Sequence, residues 1–299
     1  LAAAELACKR AKSEGGARVA AVDATATLTP VATRQALAAT ELSEALQSNQ
    51  FQLDAQPIVD LRGAGTVGFE LLVRLRNPAG QLLAPNKFLA ACAQYGLMPA
   101  LDRWVLSAAV EALRPHAAIL ESSSPFFAVN VSAQSLEHRG YAAFAVEALA
   151  AAGLPASLFC FEIKEAAAVA QLSAADALIR TLLQAGAKVA LDDFGSGLSS
   201  LAHLKQLPVS YLKIDGRFVR SMIGDRIAES IVSGIARAAY TLGVATIAEH
   251  VETAAVVNRL SELDVTLGQG FELGRPQPIA HAVQQAVRHA AAAMPGLRA

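Results

Sequence analysis

The chain has 299 residues, of which 54% are hydrophobic, so it could form one large α/β barrel or two ordinary domains. Its formal net charge of −1 excludes a general positive field that attracts duplex nucleic acid, so a polyanionic ligand needs a local site. No uncharged apolar run of about eighteen residues occurs, which argues against a transmembrane helix and against membrane contact by this fragment.

The first residues differ in pattern from the rest of the chain. Residues 1–24 read as a helix followed by the short strand ARVAAV, and the charges of Glu5, Lys9 and Arg10 argue against a signal peptide. Because the chain does not begin with methionine, we expect it to be cut from a longer protein. We expect four parts, namely a remnant of another domain at 1–24, a linker with a helix at 25–45, the main domain at 46–290 and a tail at 291–299.

From residue 51 onward, short β-branched segments alternate with longer helical segments. Strands are predicted at 51–59, 66–75, 125–131, 158–163, 188–193, 209–214, 244–249 and just before Gly270. Helices are predicted at 86–117, 133–152, 173–186, 198–206, 225–242, 253–263 and 279–292. About eight strands in this alternation predict an α/β fold of the TIM-like (β/α)8 barrel type. An open doubly wound sheet is the alternative, although no GxGxxG follows the first strand.

Polar side chains recur where the predicted strands end, and in a (β/α) barrel these ends share one face. An acid at a single strand end is more often a helix cap or a solvated loop residue. Several carboxylates around one mouth repel each other, by about 4 kcal/mol for a surface pair 4 Å apart, unless cations neutralise them. Glu70 lies within the second predicted strand, and the polar residues at the ends of the later strands are Asn130, Glu162, Asp192, Asp193, Lys213, Glu249 and Gln269.

The candidate metal ligands in this set are carboxylates and the Asn130 carbonyl, all of them oxygen donors, which suit Mg²⁺, Mn²⁺ or Ca²⁺ better than zinc. The six histidines form no HExxH or HxH pattern, so a histidine-ligated metal is not expected. Two cations close together would suit in-line attack on a phosphodiester. Alternatives stay open locally, because DDFGSG (192–197) also reads as an ordinary loop and Lys213 as a structural ion-pair partner.

The three cysteines, Cys8, Cys92 and Cys160, lie far apart and form no CxxC pair. Neither a disulfide framework nor a thiolate zinc site is therefore expected, and a reducing cytoplasm is the simplest location.

Seven segments carry a resemblance to a known family when they are taken in order. They are QPIV (56–59), ELLVR (70–74), NVS (130–132), FEIKE (161–165), the stretch 191–215, AEHVET (248–253) and QGFELGRPQP (269–278). Together they resemble the successive signatures of EAL domains, the cyclic di-GMP phosphodiesterases, over about residues 51–285. The segment 2–23 resembles the end of a GGDEF diguanylate cyclase domain, which implies a tandem GGDEF–EAL parent. No GGDEF motif is present, so no cyclase activity is expected.

The resemblance implies a TIM-like barrel whose first strand runs antiparallel to the others. It implies an enzyme that hydrolyses cyclic di-GMP to linear pGpG, with Mg²⁺ or Mn²⁺ required and Ca²⁺ inhibitory. It also implies a homodimer. Two alternatives are a receptor module that binds cyclic di-GMP without cleaving it and a metal-dependent enzyme acting on another phosphoester.

The resemblance also assigns roles to individual residues. The implied metal ligands are Glu70, Asn130, Glu162, Asp192, Asp193 and Glu249. The implied catalytic residues are Glu70, Glu249, Gln269 and Lys213, the last of which would activate or position the attacking water. The implied substrate contacts are Gln56, Arg74, Asp193 and Pro276. Glu165 would anchor the DDFGSG loop, and Glu252 would support the metal site from behind its ligands.

Four positions depart from the usual family pattern. Leu71 stands where the EAL triplet has alanine, and it faces away from Glu70. Lys164 stands in place of threonine, His250 in place of glycine and Thr266 in place of aspartate. Since strand side chains alternate, we expect Lys164 to lie on the side of Glu162 and to compete with a metal for that carboxylate. These departures lower the expected turnover more than they lower ligand binding.

Overall fold

The computed structural model describes residues 37–63, 65–120, 125–138, 140–195 and 206–293. The expected remnant at 1–24 and nearly all of the helix expected at 198–206 lie outside these residues. Within them, the predicted strands are confirmed to within two residues at each end. No helix in these ranges combines the length and the apolar character that a membrane crossing needs.

The strands are numbered β1 to β10 in chain order. They are β1 Phe51–Asp60, β2 Gly65–Arg76, β3 Leu82–Leu83, β4 Phe126–Val131, β5 Phe159–Lys164, β6 Lys188–Phe194, β7 Tyr211–Ile214, β8 Ala245–Ala248, β9 Leu267–Gly268 and β10 Gln277–Pro278. The α-helices of the described ranges are α1 Ala39–Gln47, α2 Leu89–Gln94, α3 Met98–Leu113, α4 Ala117–Leu120, α5 Ala133–Glu137, α6 Tyr141–Ala151, α7 Glu165–Ala170, α8 Leu172–Gln184, α9 Gly216–Ser221, α10 Arg226–Leu242, α11 Ala254–Glu262 and α12 Ile279–Ala293.

Eight of the strands close into a barrel, so the open-sheet alternative is wrong. The sheet runs β1-β9-β8-β7-β6-β5-β4-β2, and β2 pairs with β1 to complete the circle, while β3 and β10 are short additions. β1 is antiparallel to both β2 and β9, and the other neighbours around the circle are parallel. The antiparallel first strand is therefore confirmed.

Two of the predicted helices are interrupted. The helix expected at 86–117 breaks at Gly96, whose φ of +68° is a left-handed conformation that ends α2, and Pro99 lies in the first turn of α3. The helix expected at 133–152 breaks at His138, which has extended backbone between α5 and α6. Hydrophobic spacing continues across both breaks, so periodicity alone did not predict them.

The barrel interior has an apolar floor with a polar layer above it. Since side chains alternate along a strand, residues two positions apart point into the barrel together. On six strands an apolar or aromatic interior residue precedes a predicted site residue by two positions. The six pairs are Ala128 and Asn130, Cys160 and Glu162, Ala190 and Asp192, Tyr211 and Lys213, Ile247 and Glu249, and Leu267 and Gln269. This stagger brings the site residues together at the carboxyl end of the parallel strands.

A larger apolar layer lies between the strands and the surrounding helices. Leu71, the departure in the EAL triplet, is 3% exposed and belongs to this outer layer, as its alternation with Glu70 predicted. It therefore contributes to packing and not to the polar layer inside the barrel.

Candidate functional site at the barrel mouth

Lys213 lies at the centre of four carboxylates that come from four different strands. Its Nζ is 2.7 Å from Glu162 Oε2, 3.1 Å from Asp192 Oδ1, 3.1 Å from Glu249 Oε1 and 3.3 Å from Glu70 Oε2. The Lys213 side chain is 1% exposed. Four carboxylates against one ammonium leave three formal negative charges at the mouth, which favours the binding of further cations.

Two amide side chains extend this cluster. Asn130 Nδ2 donates to Glu70 Oε1 over 2.9 Å, and Gln269 Nε2 donates to Glu70 Oε2 over 2.7 Å. Gln269 Nε2 also lies 3.3 Å from Gln56 Oε1, and Gln56 Nε2 donates to the Gly274 carbonyl over 3.0 Å. The structure therefore joins the sequence-predicted Glu70, Asn130, Gln269 and Gln56 in one hydrogen-bonded network.

Burial and charge shift the pKa values of the cluster in different directions. Burial raises the pKa of Glu162 well above its usual value, although Lys213 opposes the shift. Burial likewise raises the pKa of Glu249 to about 8, against the opposing charge of Lys213. Burial alone would raise the pKa of Asp192, but Lys213 and Lys164 outweigh it and the net shift is downward. The mouth therefore holds more acid groups than its lysines neutralise.

Two consecutive acids reach the mouth because β6 is irregular near its end. Neighbouring residues of a regular strand point to opposite faces. The β6–β7 register shifts between Leu191 and Phe194, and Asp193 has a φ of +54°. This irregularity brings carboxylate oxygens of Asp192, Asp193 and Glu249 within 4.8 Å of one another.

The residues present fit a hard divalent cation. Glu162 Oε1 is buried and accepts no hydrogen bond from the part of the chain that the structure describes. A buried carboxylate oxygen without a partner is costly, and a cation would satisfy it. The nearby donors are carboxylate and amide oxygens, which Mg²⁺ and Mn²⁺ prefer to the nitrogen and sulfur ligands typical of zinc.

Lys164 has a different partner from the one we expected. Its Nζ forms an ion pair with Asp193 Oδ2, whereas Glu162 is paired with Lys213. The expectation that Lys164 competes for Glu162 is therefore wrong in its partner. The Lys164 side chain is 62% exposed at the rim, whereas the Glu162 side chain is 0% exposed inside the barrel.

Glu165 contacts the start of the DDFGSG segment. It is buried, and its Oε2 accepts a hydrogen bond from Gly195 N over 3.0 Å. Gly195 has a φ of +90°, which glycine adopts without strain. Residues 196–205 lie outside the described ranges, so the anchoring role of Glu165 stays a prediction.

A cavity of about 270 Å³ opens beside the carboxylate cluster. Its lining residues are Gln56, Glu70, Leu72, Glu249, His250, Glu252, Gln269, Gly270 and Phe271. Glu252 is thus at the cavity, with a side chain that is 47% exposed. Pro276 is not among the lining residues, so its substrate contact stays a prediction.

Three features of the site area were not predicted from the sequence. Arg74 Nε lies 2.9 Å from Asp54 Oδ2, and both side chains are 15% exposed. The sequence carried a signal for this ion pair, because Asp54 lies two residues before Gln56 and therefore points to the same face of the strand. Phe271 is exposed at the cavity, and the Arg275 guanidinium lies 4.5 Å from its ring centroid.

The third feature is Asp102, a buried acid on the apolar face of α3. Its Oδ2 accepts hydrogen bonds from Ser132 N over 2.8 Å and from Ser135 Oγ over 2.7 Å. Ser132 follows Asn130 by two residues, so Asp102 fixes the segment that leaves β4. An acid within an apolar helical stripe was the available signal, but the sequence does not say what it pairs with.

Comparison with known proteins agrees with this geometry. The family model described as "EAL domain" matches residues 39–276. The chain is 33% identical over 251 residues to the Shewanella oneidensis protein named cyclic di-GMP phosphodiesterase PdeB, covering 83% of this chain and 29% of that protein. It is 31% identical over 238 residues to PdeF of Escherichia coli, also named a cyclic di-GMP phosphodiesterase, covering 80% of this chain and 31% of that one. The chain thus spans about a third of the length of these curated relatives.

Solved structures share the barrel. The "PaMucR Phosphodiesterase, c-di-GMP complex" matches with a TM-score of 0.76 and 34% identity, covering 81% of this chain and 98% of that chain. The FimX EAL domain from Pseudomonas aeruginosa bound to c-di-GMP matches with a TM-score of 0.72 and 33% identity, covering 79% and 94%. With its closed barrel, its antiparallel first strand and a match from residue 39 to 276, the chain belongs to the EAL domain family.

Proposed function

We propose that the chain hydrolyses cyclic di-GMP to the linear dinucleotide pGpG and that it needs Mg²⁺ or Mn²⁺ to do so. The observation that carries this proposal is the convergence of Glu70, Glu162, Asp192 and Glu249, from four strands, on one mouth. The substrate is supported by relatives named cyclic di-GMP phosphodiesterases and by related structures bound to c-di-GMP.

Six residues would hold the cations, and they supply oxygen donors only. They are Glu70, Asn130, Glu162, Asp192, Asp193 and Glu249. When bound, divalent cations supply a water of lowered pKa and offset the negative charge that grows on the phosphoryl oxygens.

The chain's own residues position the reacting groups. The charges of four carboxylates outweigh burial and keep the pKa of Lys213 well above its usual value, so Lys213 is cationic at neutral pH. It can therefore hold the attacking water by donating to it. The Gln269 side chain is held by hydrogen bonds to Glu70 and Gln56, and from this position it would help to orient the attacking water. In the reaction the attacking water gives up one proton as its oxygen bonds to phosphorus, the bond from phosphorus to the ribose O3′ breaks, and the leaving O3′ takes up a proton.

Other residues would bind the rest of the substrate. Arg74 would contact a phosphate, since its planar guanidinium suits that geometry, and Asp54 holds it near the strand until then. Gln56 and Pro276 would contact the remainder of the dinucleotide. Glu165 would hold the DDFGSG segment through Gly195, and Glu252 would support the metal site. We expect the chain to act as a homodimer.

A second candidate is a receptor module that binds cyclic di-GMP without cleaving it. The ion pair between Lys164 and Asp193 favours it, because it occupies a proposed metal ligand. The presence of all six proposed ligands favours the enzyme.

The proposal is tested by incubating the purified chain with cyclic di-GMP and Mg²⁺ or Mn²⁺ and separating the products by chromatography. We expect pGpG, suppressed by Ca²⁺ and abolished by Glu70→Ala. Glu111→Ala also removes a glutamate, but one with an exposed side chain, and should not change the rate. Tight binding without product would select the receptor, and cleavage of other phosphodiesters without affinity for cyclic di-GMP would select a different phosphoesterase.

A further inference from the structure

The ammonium group of Lys164 lies among the carboxylates that fit a divalent cation. Lys164 ends β5 and is the N-cap residue of α7. Its Nζ contacts Asp193 Oδ2, and Asp193 brings a carboxylate oxygen within 4.8 Å of oxygens of Asp192 and Glu249. Lys164 also pairs in register with Asp192 on the neighbouring strand. A monovalent cation of the chain itself thus occupies one carboxylate of this group.

Lys164 and Lys213 differ in how readily their ammonium groups could move away from their carboxylate partners. Lys213 is 1% exposed and contacts four carboxylates, so its departure would leave several buried charges unpaired. Lys164 is 62% exposed and has one ion-pair partner among the described residues. Its flexible four-carbon stem can carry the ammonium into solvent when another cation takes its place.

We propose that Lys164 is a tethered competitor for the divalent cation at Asp193, so that this chain fills its second cation position only at raised cation concentration. The inference rests on the proposed function.

The expected size follows from the exposure of the pair. Partly exposed ion pairs are worth at most about 1 kcal/mol, which corresponds to about fivefold in a binding constant. Because the ammonium must leave Asp193 before a cation can bind that carboxylate, removing it should tighten the weaker of two binding events by about fivefold. The tighter event, formed by the buried carboxylates around Lys213, should change less than twofold.

Binding of Mn²⁺ to the metal-stripped chain tests this without any turnover. Free Mn²⁺ is counted by electron paramagnetic resonance during a titration of the wild type, Lys164→Met and Lys164→Arg. We expect Lys164→Met to tighten the second event about fivefold. Lys164→Arg keeps the charge and should bind the second ion no more tightly than the wild type.

Arg180→Met is the matched control, because it removes one positive charge from an exposed side chain on α8 that pairs with Asp176. It should leave both events unchanged. The inference is overturned if Lys164→Met and the wild type bind two ions with equal affinity, or if Lys164→Met binds the second ion more weakly. It is also overturned if Arg180→Met tightens the second event as much as Lys164→Met does.

The failure of this inference can be told apart from that of the proposed function. Equal binding by the variants together with pGpG formation by the wild type removes the role of Lys164 and leaves the enzyme. A shift in binding without pGpG formation keeps the competitor and removes the enzyme. No Mn²⁺ binding by any variant removes both.

Discussion

Among single residues, Lys213 has the greatest influence on the charge balance of the site. It is the group that contacts all four converging carboxylates, and its own side chain is almost fully buried. Its position on the sixth barrel strand, counted with β1 as the first, was predictable from the order of the strands in the sequence. Its four contacts were not, because they depend on how far each strand is staggered around the barrel.

Lys213→Met should destabilise the metal-free chain, by roughly 3 kcal/mol, because it leaves buried carboxylates without a cation. Divalent cations should restore much of the loss, since binding to the folded state alone stabilises it. Urea unfolding in a chelator and then in Mn²⁺ measures both effects. Equal stability of the variant and the wild type in the chelator would contradict the account.

The His250 side chain packs closely against Gly216, and this contact can be tested by substitution. A Cβ at Gly216 would lie 2.1 Å from His250 Cδ2, and His250 itself has a φ of +52°. Gly216→Ala should therefore lower the unfolding free energy of the wild type by about 1 kcal/mol or more. The same substitution should cost much less in a His250→Gly background. A double-mutant cycle of unfolding free energies measures the difference. Equal costs in both backgrounds would show that the contact is not responsible.

At the scale of the element, the order of strands and helices was predictable because hydrophobic period and turn residues repeat regularly from residue 51. The breaks after α2 and α5 were not predicted, because apolar residues resume at helical spacing beyond them, although Gly96 and the polar run EHRG (137–140) mark both places. The tie between α3 and the segment after β4 was also not predictable. An acid inside an apolar stripe such as Asp102 shows that something compensates its burial, but not which residues do so.

Asp102 provides a prediction for this element. Asp102→Ala should cost about 1–3 kcal/mol, because it leaves Ser132 N and the Ser135 hydroxyl without their acceptor. Asp102→Asn keeps an acceptor oxygen and should cost less. Urea unfolding at neutral pH compares the two, and an equal loss in both variants would argue against the hydrogen bonds.

Asp102 also predicts how the difference in stability between Asp102→Asn and the wild type changes with pH. Burial raises the pKa of Asp102, and its hydrogen bonds with Ser132 and Ser135 oppose the shift. A carboxyl with a raised folded-state pKa contributes stability that is complete below its unfolded pKa of about 3.9 and is lost as pH rises through the folded pKa. The stability of Asp102→Asn relative to the wild type should therefore increase as pH rises from about 4. A difference that is flat with pH would contradict this.

At the scale of the whole molecule, closure of the barrel creates the site. The hydrogen bond between Gln269 and Gln56 joins residues 213 positions apart, and it exists because β1 closes the circle against β9 and β2. The family signatures predicted which residues would meet. The ion pair of Lys164 with Asp193 was not predictable, because the partner of an exposed side chain at the rim depends on the assembled surface.

The central claim is that carboxylates from separate strands share divalent cations at this mouth. Anomalous diffraction from a crystal of the chain soaked in Mn²⁺ tests it most directly. We predict a strong peak within bonding distance of side-chain oxygens from at least three of Glu70, Asn130, Glu162, Asp192 and Glu249. A saturating soak that gives no peak there, or a peak bound only at residues away from the mouth, would contradict the account.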